Sequence, residues 1–359
     1  MKISIGILAY NESEFIVKML HSLLQQSLFQ EPNPEWIIEI IVVPNGCTDN
    51  TAEIAKKTLE TSIGVLNNPN IDWQVSEIQQ PGKSNAWNVY THSLSATDAQ
   101  YLFLMDSDIE LLDPKTLESM IAVLEARPEV WVAVDKPIKD VMLKEQKSLM
   151  ETLSANVAGL SGNKAVEGGA AWICGQLYCG RAEVLRQIWL PISIQMDDSF
   201  IYDMITTEGL TASMKPERVI LSPSASHVFE SYIGVRKILR HEKWLIIGAT
   251  INKLLYHDLV PHVSNFQETG LLIKQRNEQN PLWLNELVEK VTQEKSSWLI
   301  PQNILTRRFQ SLSNKSIFKS VLFFPLATLA FFVDISLSIQ ANFELQKGKA
   351  IGYWGKSTD

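Results

Sequence analysis

Residues 101–108, Tyr-Leu-Phe-Leu-Met-Asp-Ser-Asp, join a short apolar run to two carboxylates. The apolar run is typical of a strand that is buried on both faces. Residues two apart in extended chain point to the same side, so we expect Asp106 and Asp108 to face one site at the carboxyl edge of a sheet. Two such carboxylates repel each other unless a cation joins them, and their oxygens suit Mg²⁺ or Mn²⁺ with water and phosphate. On spacing alone, a solvated turn remains the alternative.

Apolar strands and helical patterns alternate on both sides of this stretch. Further strands are predicted over residues 3–9, 36–43, 72–78 and 130–134, and helices over residues 13–26, 49–61 and 84–96. This alternation predicts an α/β fold, a mostly parallel sheet flanked by helices. Ligands of such sheets bind beyond the carboxyl ends of the strands. After residue 140 the alternation stops, and most of the remaining chain has a helical pattern.

Charge divides the 359-residue chain into two parts. Its formal net charge is -8, which makes a general nucleic-acid binder a poor interpretation, and 45% hydrophobic residues exclude a disordered chain. Residues 1–232 contain 16 basic residues (Lys and Arg) and 30 acidic residues (Asp and Glu), so this part is acidic. Residues 233–359 contain 16 basic and 10 acidic residues, so this part is basic. We therefore predict a catalytic domain over residues 1–232 and a basic, helical C-terminal extension over residues 233–359.

Four segments around the sheet edge form an ordered set. They read IGILAYNE at 5–12, IVVPNGCTDNT at 41–51, PGKSNAWN at 81–88 and LFLMDSD at 102–108. In this order and at these spacings they resemble the family 2 glycosyltransferases of the GT-A fold, over about residues 1–245. The resemblance implies a Rossmann-like sheet, a nucleotide-sugar donor at its edge, a divalent metal and inversion at the anomeric carbon.

The resemblance also implies roles for individual residues on the donor side. Ala9, Tyr10 and Glu12 match the loop that lines the nucleoside pocket, and Lys83 matches a basic residue near the donor. Asp106 and Asp108 match the ribose and metal-phosphate aspartates, with Asp108 as the firmer ligand. One departure stands at Pro44-Asn45, where the family has two aspartates; Asn45 still donates and accepts hydrogen bonds but carries no charge.

Later segments resemble the acceptor side of the family. A Gly-rich stretch that includes Gly169 and Trp172 precedes Met196-Asp197-Asp198, which is similar to the acidic pair of the family. Asp198 matches the general base, because an acceptor hydroxyl is a poor nucleophile until a carboxylate takes its proton. The alternative interpretation of these acids is a helix N-terminus, where Asp is favoured in any case.

The extension begins with basic residues at helical spacing. Arg236, Lys237 and Arg240 share one helix face that suits a diphosphate, at the place where the family has Q-x-x-R-W. The match is partial, because Lys237 replaces the Gln and His241 replaces the Trp. His227 is a candidate third metal ligand, as the family often uses a late His. The alternative for the three basic residues is an ordinary solvated helix face, and the alternative for His227 is a purely structural role.

An apolar run at residues 320–333 follows Arg307, Arg308, Lys315 and Lys319. It is shorter than the roughly 20 residues that span a bilayer, and Pro325 and Asp334 weaken a simple spanning helix. A basic flank before an apolar helix favours peripheral contact through residues 307–340 with the inner face of the cell membrane, and hence a cytoplasmic location. A helix that closes the domain or a dimer interface is the alternative.

The leading hypothesis is an inverting, metal-dependent transferase that moves a sugar to a hydroxyl of a lipid-linked or cell-surface glycan precursor. A catalytically inactive relative that binds nucleotide sugars or acts as a scaffold is the alternative, motivated by Pro44-Asn45 and the altered Q-x-x-R-W. A nucleotidyltransferase on a similar sheet is less favoured, because residues 9–12 lack the Gly-rich loop of the GxGxR kind.

Overall fold

A computed structural model of the chain describes residues 1–31, 33–66, 68–144, 146, 148, 151, 166–294, 298–313 and 317–348. The contacts within the chain form two units. The first comprises Met1–Ile192, Asp197–Ile233 and Val263–Gln275, and the second comprises Ser193–Met196, Gly234–His262 and Arg276–Asp359.

The first unit is built on one sheet with the strand order β3-β2-β1-β4-β7-β6-β8-β5. Its strands are β1 (Lys2–Ala9), β2 (Ile37–Pro44), β3 (Ile71–Val75), β4 (Tyr101–Asp106), β5 (Glu110–Leu111), β6 (Val132–Lys139), β7 (Leu177–Arg181) and β8 (Val219–Phe229). The pairs β1–β2, β1–β4, β2–β3 and β6–β8 are parallel, whereas β7 is antiparallel to both of its neighbours. The sheet is therefore more mixed than the sequence pattern predicts, because β7 comes from the irregular Gly-rich region.

Helices cover the sheet of the first unit. They are α1 (Ile16–Leu24), α2 (Ser27–Gln30), α3 (Thr51–Leu66), α4 (Lys83–Val89), α5 (Thr116–Ala126), α6 (Asp140–Leu143), α7 (Ala182–Leu185) and α8 (Asp197–Thr206). Alternate residues of β1 pack with α1 on one side. On the other side the Tyr90 ring lies so close to Gly6 that a Cβ there would stand 2.5 Å from it, so the strand requires glycine at this point.

The second unit is helical. Its helices are α9 (Val235–Leu259), α11 (Trp283–Glu294), α12 (Gln302–Ser313) and α13 (Ile317–Gln346), and α10 (Phe266–Gln279) belongs largely to the first unit. Pro325 and Asp334, which we expect to weaken a simple membrane-spanning helix, both lie within α13. Asp334 is buried, and both Arg307 and Arg308 donate hydrogen bonds to its carboxylate.

Candidate functional site

Three neighbouring parallel strands end at the same edge of the sheet. In the register of these strands, Leu8 lies beside Asp106 and Ala9 lies beside Pro44. The loops that follow β1, β2 and β4 therefore start from one place. This arrangement explains how segments separated by up to a hundred residues in the sequence approach one site.

Lys83 joins the carboxylates of this edge. It is the first residue of α4, and its buried Nζ lies 2.6 Å from Asp106 Oδ1 and donates to the Gly175 carbonyl at 3.0 Å. Asp197 and Asp198 also attract it electrostatically. Burial alone would lower the pKa of Lys83, but the attraction of these carboxylates outweighs it and raises the pKa, so the side chain is a permanent cation.

Asp198 lies at the N-terminus of α8, in the same cluster. Its Oδ1 accepts a hydrogen bond from the Ser199 amide at 2.7 Å, and a second backbone hydrogen bond comes from Gly175. Burial and the neighbouring Asp197 carboxylate raise the pKa of Asp198. Burial likewise raises the pKa of Asp106 to about 6, although Lys83 acts in the opposite direction. A carboxylate with a raised pKa is a better proton acceptor than an ordinary one.

A divalent cation fits this edge by its chemistry. The carboxylates of Asp106, Asp108, Asp197 and Asp198 outnumber the single ammonium of Lys83, and Asp108 is exposed directly after the strand. Within the described ranges, no three His, Cys, Asp or Glu side chains come close enough to hold a metal. Mg²⁺ sites commonly use one or two carboxylates completed by water and substrate phosphates, and Asp106 and Asp108 meet that requirement.

His227 does not join these aspartates in the structure. Its ring is fully buried, Nδ1 lies 2.6 Å from Asp135 Oδ2, and Nε2 lies 3.2 Å from Gln176 Oε1. Its assignment as a third metal ligand stays a prediction and requires Nε2 to leave Gln176. Asp135 and Gln176 were missed at the sequence level. In the sequence Asp135 follows an apolar run just as Asp106 does, and that pattern could have indicated it.

The Cys174 thiol lies among these groups. Its Sγ is 3.4 Å from Gln176 Oε1, and burial raises its pKa to about 12, with Asp135, Asp198 and Asp106 acting in the same direction. The thiol is therefore protonated and takes no part as a thiolate.

The residues predicted to line the nucleoside pocket follow β1 and β2. Ala9 and Glu12 are buried and Tyr10 is half-buried, and the Glu12 amide donates to Thr51 Oγ1 at 2.8 Å. Asn11 between them has a φ of 54°, a left-handed conformation that Asn tolerates well. The structure brings these residues to the expected edge, and their contact with a donor stays a prediction.

The Asn45 side chain joins two backbone segments at this edge. Its side chain is buried, its Nδ2 donates to the Ala9 carbonyl at 2.7 Å, and its Oδ1 accepts from the Gly82 amide at 3.0 Å. The amide thus ties the end of β1 to the turn before Lys83. An ionised aspartate at this position has no side-chain hydrogen to donate to Ala9, so the amide makes a contact that the family's aspartate cannot make.

Asn45→Asp is expected to reduce the free energy of unfolding by about 1–3 kcal/mol, because the Ala9 carbonyl would face a carboxylate oxygen in a buried place. Urea denaturation of the two proteins measures the difference. Asn50→Asp, at an exposed position five residues later, is the matched control and should change stability little. Equal stability of Asn45→Asp and the wild type would contradict this role.

The acceptor-side residues occupy two neighbouring segments. Gly169 lies in a turn and its carbonyl accepts from the Leu221 amide at 3.0 Å. Trp172 is 67% exposed and stacks on Tyr202, with ring centroids 4.1 Å apart. Tyr202 is one helical turn after Asp198 on α8, so the Trp172 ring lies on the same side of the helix as the candidate base.

Arg236, Lys237 and Arg240 lie at the start of α9 in the second unit. Arg236 and Arg240 are exposed and Lys237 is half-buried. Their spacing places them on one face of the helix, as the sequence predicts. Their contact with a diphosphate stays a prediction.

Comparisons with known proteins agree with this geometry. A family model described as Glycosyl transferase family 2 matches residues 4–189. A search of curated protein sequences gives no match. The solved structure of the mannosyltransferase PcManGT from Pyrobaculum calidifontis, in complex with GDP-Man and Mn²⁺, is similar with a TM-score of 0.53 and 16% identity, over 96% of this chain and 86% of that one.

Two other solved structures show lower similarity. S. aureus TarS 1-349 has a TM-score of 0.44 and 16% identity, over 97% of this chain and 92% of that one. Glucosyl-3-phosphoglycerate synthase from Mycobacterium tuberculosis, with Mg²⁺ and uridine diphosphate, has a TM-score of 0.42 and 15% identity, over 69% and 77% of the two chains. The family match spans half of this chain, and the sheet carries the four motifs at one edge. The chain therefore belongs to glycosyl transferase family 2 and is a glycosyltransferase with the GT-A fold.

Proposed function

We propose that this glycosyltransferase is an inverting, metal-dependent enzyme that transfers a sugar from a nucleotide-sugar donor to a hydroxyl of a lipid-linked or cell-surface glycan precursor. The observation that carries the proposal is the cluster around Lys83, where Asp106 at the end of β4 meets Asp198 at the start of α8. A donor-side carboxylate and a candidate base are thus held at one site by one buried cation.

Asp198 acts as the general base in this proposal. The acceptor oxygen attacks the anomeric carbon while the bond from that carbon to the diphosphate oxygen breaks, and the electron pair leaves with the diphosphate. Asp198 takes the proton of the attacking hydroxyl, since its raised pKa suits proton transfer near neutral pH. Attack in a single displacement inverts the anomeric configuration.

The diphosphate is held at the other end of the cluster. Asp106 and Asp108 are the residues that would hold Mg²⁺ or Mn²⁺, which supplies positive charge that stabilises the departing diphosphate when it is bound. Lys83 lies beside them as a fixed cation and contributes in the same direction. Arg236, Lys237 and Arg240 are proposed as further diphosphate contacts. Ala9, Tyr10, Glu12 and Asn45 are proposed to shape the nucleoside pocket.

One of the two sequence departures that suggested a catalytically inactive relative is weaker evidence once the structure is known. Asn45 has a structural role through its hydrogen bonds to Ala9 and Gly82, and that role needs no loss of catalysis. The candidate base and the carboxylate pair are both present at one edge. Activity is therefore the proposal that these residues support better.

Asp108→Ala is expected to abolish metal-dependent donor binding without reducing stability, because the side chain is exposed and no hydrogen bond to it is found among the described residues. In a thermal-shift screen of nucleotide sugars with Mn²⁺, a donor at a hundredfold excess over its Kd stabilises the wild type by about 2.7 kcal/mol. The variant should lose that stabilisation. Glu110→Ala, two residues later, is the control and should keep it. Normal donor binding by Asp108→Ala would mean that the carboxylate pair is structural.

The proposed location rests on α13. By length and composition the segment Ser320–Gln346 could cross a membrane, and it is the one described helix with that property. Asp334, Leu337 and Ala341 are buried on one face, whereas large apolar side chains are exposed elsewhere on the helix, namely Val321, Leu322, Phe324, Leu329, Phe332, Ile339 and Phe343. A helix with one packed and one apolar exposed face favours lying on a membrane surface over spanning it. Lys315 lies outside the described residues.

Replacing Leu329 and Phe332 together by Glu is expected to weaken binding to vesicles of anionic lipid by about tenfold or more, since two apolar side chains would leave the lipid. Co-sedimentation with phosphatidylglycerol vesicles measures the effect. Val65→Glu, which changes an exposed apolar residue of α3, is the matched control. If the wild type and the double variant bind the vesicles equally, or if neither binds them, α13 has no membrane-binding face. If instead the wild type is a dimer and the double variant is a monomer, the exposed apolar face of α13 binds a second copy of the chain.

A further inference from the structure

A large aromatic side chain stands out in solvent on the acceptor side of the site. Trp172 is 67% exposed, whereas its chain neighbours Ala171 and Ile173 are buried. The segment is fixed to the sheet, because the Ala171 amide donates to the Val219 carbonyl of β8 at 3.0 Å. The Trp172 ring is therefore presented by backbone that is paired to a strand, with a buried residue on each side of it.

Tyr202 covers one face of this ring. The two ring centroids are 4.1 Å apart with an angle of 28° between the planes, and Tyr202 itself is buried on α8. Stacking of this kind fixes the orientation of the outer ring. The exposure of Trp172 leaves its other face open. The two rings together, Trp172 and Tyr202, are called the aromatic platform.

The aromatic platform lies next to the candidate base by two independent routes. Tyr202 follows Asp198 by four residues on α8, and side chains at this spacing are neighbours on one face of a helix. Gly175 follows Trp172 by three residues, and a Cβ at Gly175 would stand 3.3 Å from Asp198 Cβ. An acceptor whose hydroxyl reaches Asp198 therefore has its adjoining atoms close to the platform.

The charge beside the platform favours a neutral group. Burial raises the pKa of Tyr202, and the carboxylates of Asp203 and Glu217 act in the same direction. The potential beside the rings is therefore negative, which disfavours a phosphate or carboxylate at this place. A pyranose ring is neutral, and the C–H groups on its apolar face carry a slight positive charge that the negative face of an aromatic ring attracts.

We infer that the aromatic platform binds a pyranose ring of the acceptor, so that the enzyme extends an existing sugar rather than a small phosphorylated acceptor or a lipid phosphate. The sugar stacks on the open face of Trp172, and the hydroxyl that meets Asp198 belongs to this sugar or to the next one. Four residues of α-helix rise by about 6 Å, which is close to the length of one sugar ring in a glycan. This inference rests on Asp198 as the base of the proposed function.

The first test measures binding without any donor. In protein labelled with 5-fluorotryptophan, the ¹⁹F resonance of Trp172 is assigned by its loss in Trp172→Phe. The neutral probes are the methyl pyranosides of glucose, galactose, mannose and N-acetylglucosamine, the anionic probe is glycerol 3-phosphate and the apolar probe is 1-hexanol. At millimolar concentrations, at least one pyranoside should shift the Trp172 resonance. No shift with any pyranoside, or an equal or larger shift with either other probe, would overturn the inference.

The second test measures transfer to the pyranoside that shifts the resonance, as nucleotide release above the rate without acceptor. Trp172→Ala should raise the KM for the pyranoside about tenfold, the size of one stacked aromatic contact, and leave kcat and the donor Kd near the wild-type values. Trp172→Phe should recover most of the affinity, because it keeps an aromatic face. Trp298→Ala removes a tryptophan of the second unit that is 40% exposed, and it is the matched control.

An unchanged KM in Trp172→Ala, or a lower kcat at an unchanged KM, would overturn the inference. If Trp172→Ala does not fold, the ¹⁹F titration of the wild type decides. That titration contains no donor, so its failure is distinct from failure of the proposed function, which is read from nucleotide release by the wild type.

Discussion

Asp198→Asn is expected to lower the rate of sugar transfer by about 10²–10⁴-fold and to leave donor affinity unchanged. Asparagine has nearly the shape of aspartate and still accepts the hydrogen bond from the Ser199 amide. It cannot take the proton of an acceptor hydroxyl. The kcat for nucleotide release in the presence of acceptor, together with the donor Kd from a thermal-shift titration, measures the two quantities separately.

A second carboxylate on the same helix provides the control. Asp203→Asn changes the charge of α8 by the same amount but lies more than one turn beyond Asp198. It should keep most of the activity. Loss of donor binding in Asp198→Asn, or transfer at the wild-type rate, would mean that the general base has been assigned to the wrong residue.

Lys83→Met is expected to reduce the free energy of unfolding by about 3–5 kcal/mol and to abolish transfer. Removal of the ammonium leaves Asp106 as a buried carboxylate without its counter-charge, and breaking one half of a buried ion pair costs this much in other proteins. The same change removes a fixed cation beside the proposed diphosphate position. Urea denaturation measures the stability, and nucleotide release measures the activity.

The chain offers a matched pair on its surface for comparison. Lys18 Nζ lies 2.7 Å from Glu110 Oε2, almost the same distance as in the Lys83–Asp106 pair, but the Lys18 side chain is 70% exposed. Because exposed pairs contribute about 0–1 kcal/mol, Lys18→Met should change stability little. A similar loss of stability in Lys83→Met and Lys18→Met would show that burial is not the reason why the Lys83–Asp106 pair stabilises the fold.

The parallel half of the sheet was predictable because its strands carry strong local signals. β1, β2 and β4 are mostly apolar runs, and each ends in residues that favour a turn or a polar site. Residues 166–180 were expected to mix loop with strand, but the antiparallel pairing of β7 was not predicted, since Leu177–Arg181 is short and follows a Gly-rich loop. Its place between β4 and β6 depends on long-range pairing, which no local pattern encodes.

The cluster of Lys83, Asp106 and Asp198 was predictable only in part, for a similar reason. Spacing indicates that Asp106 and Asp108 share a site, and resemblance to a family indicates Lys83 and Asp198. The contact of Lys83 with Gly175 and the network of Asp135, His227 and Gln176 arise where α4, β6, β8 and the loop before β7 meet. The structural use of Asn45 is equally hidden, because its partners lie 36 and 37 residues away.

Nucleotide release from a panel of nucleotide sugars in the presence of Mn²⁺ tests the central claim most directly. The account predicts that the wild type releases nucleotide from at least one donor, that Asp108→Ala releases none, and that chelation of the metal stops the reaction. No turnover and no binding with any donor would contradict the proposed activity.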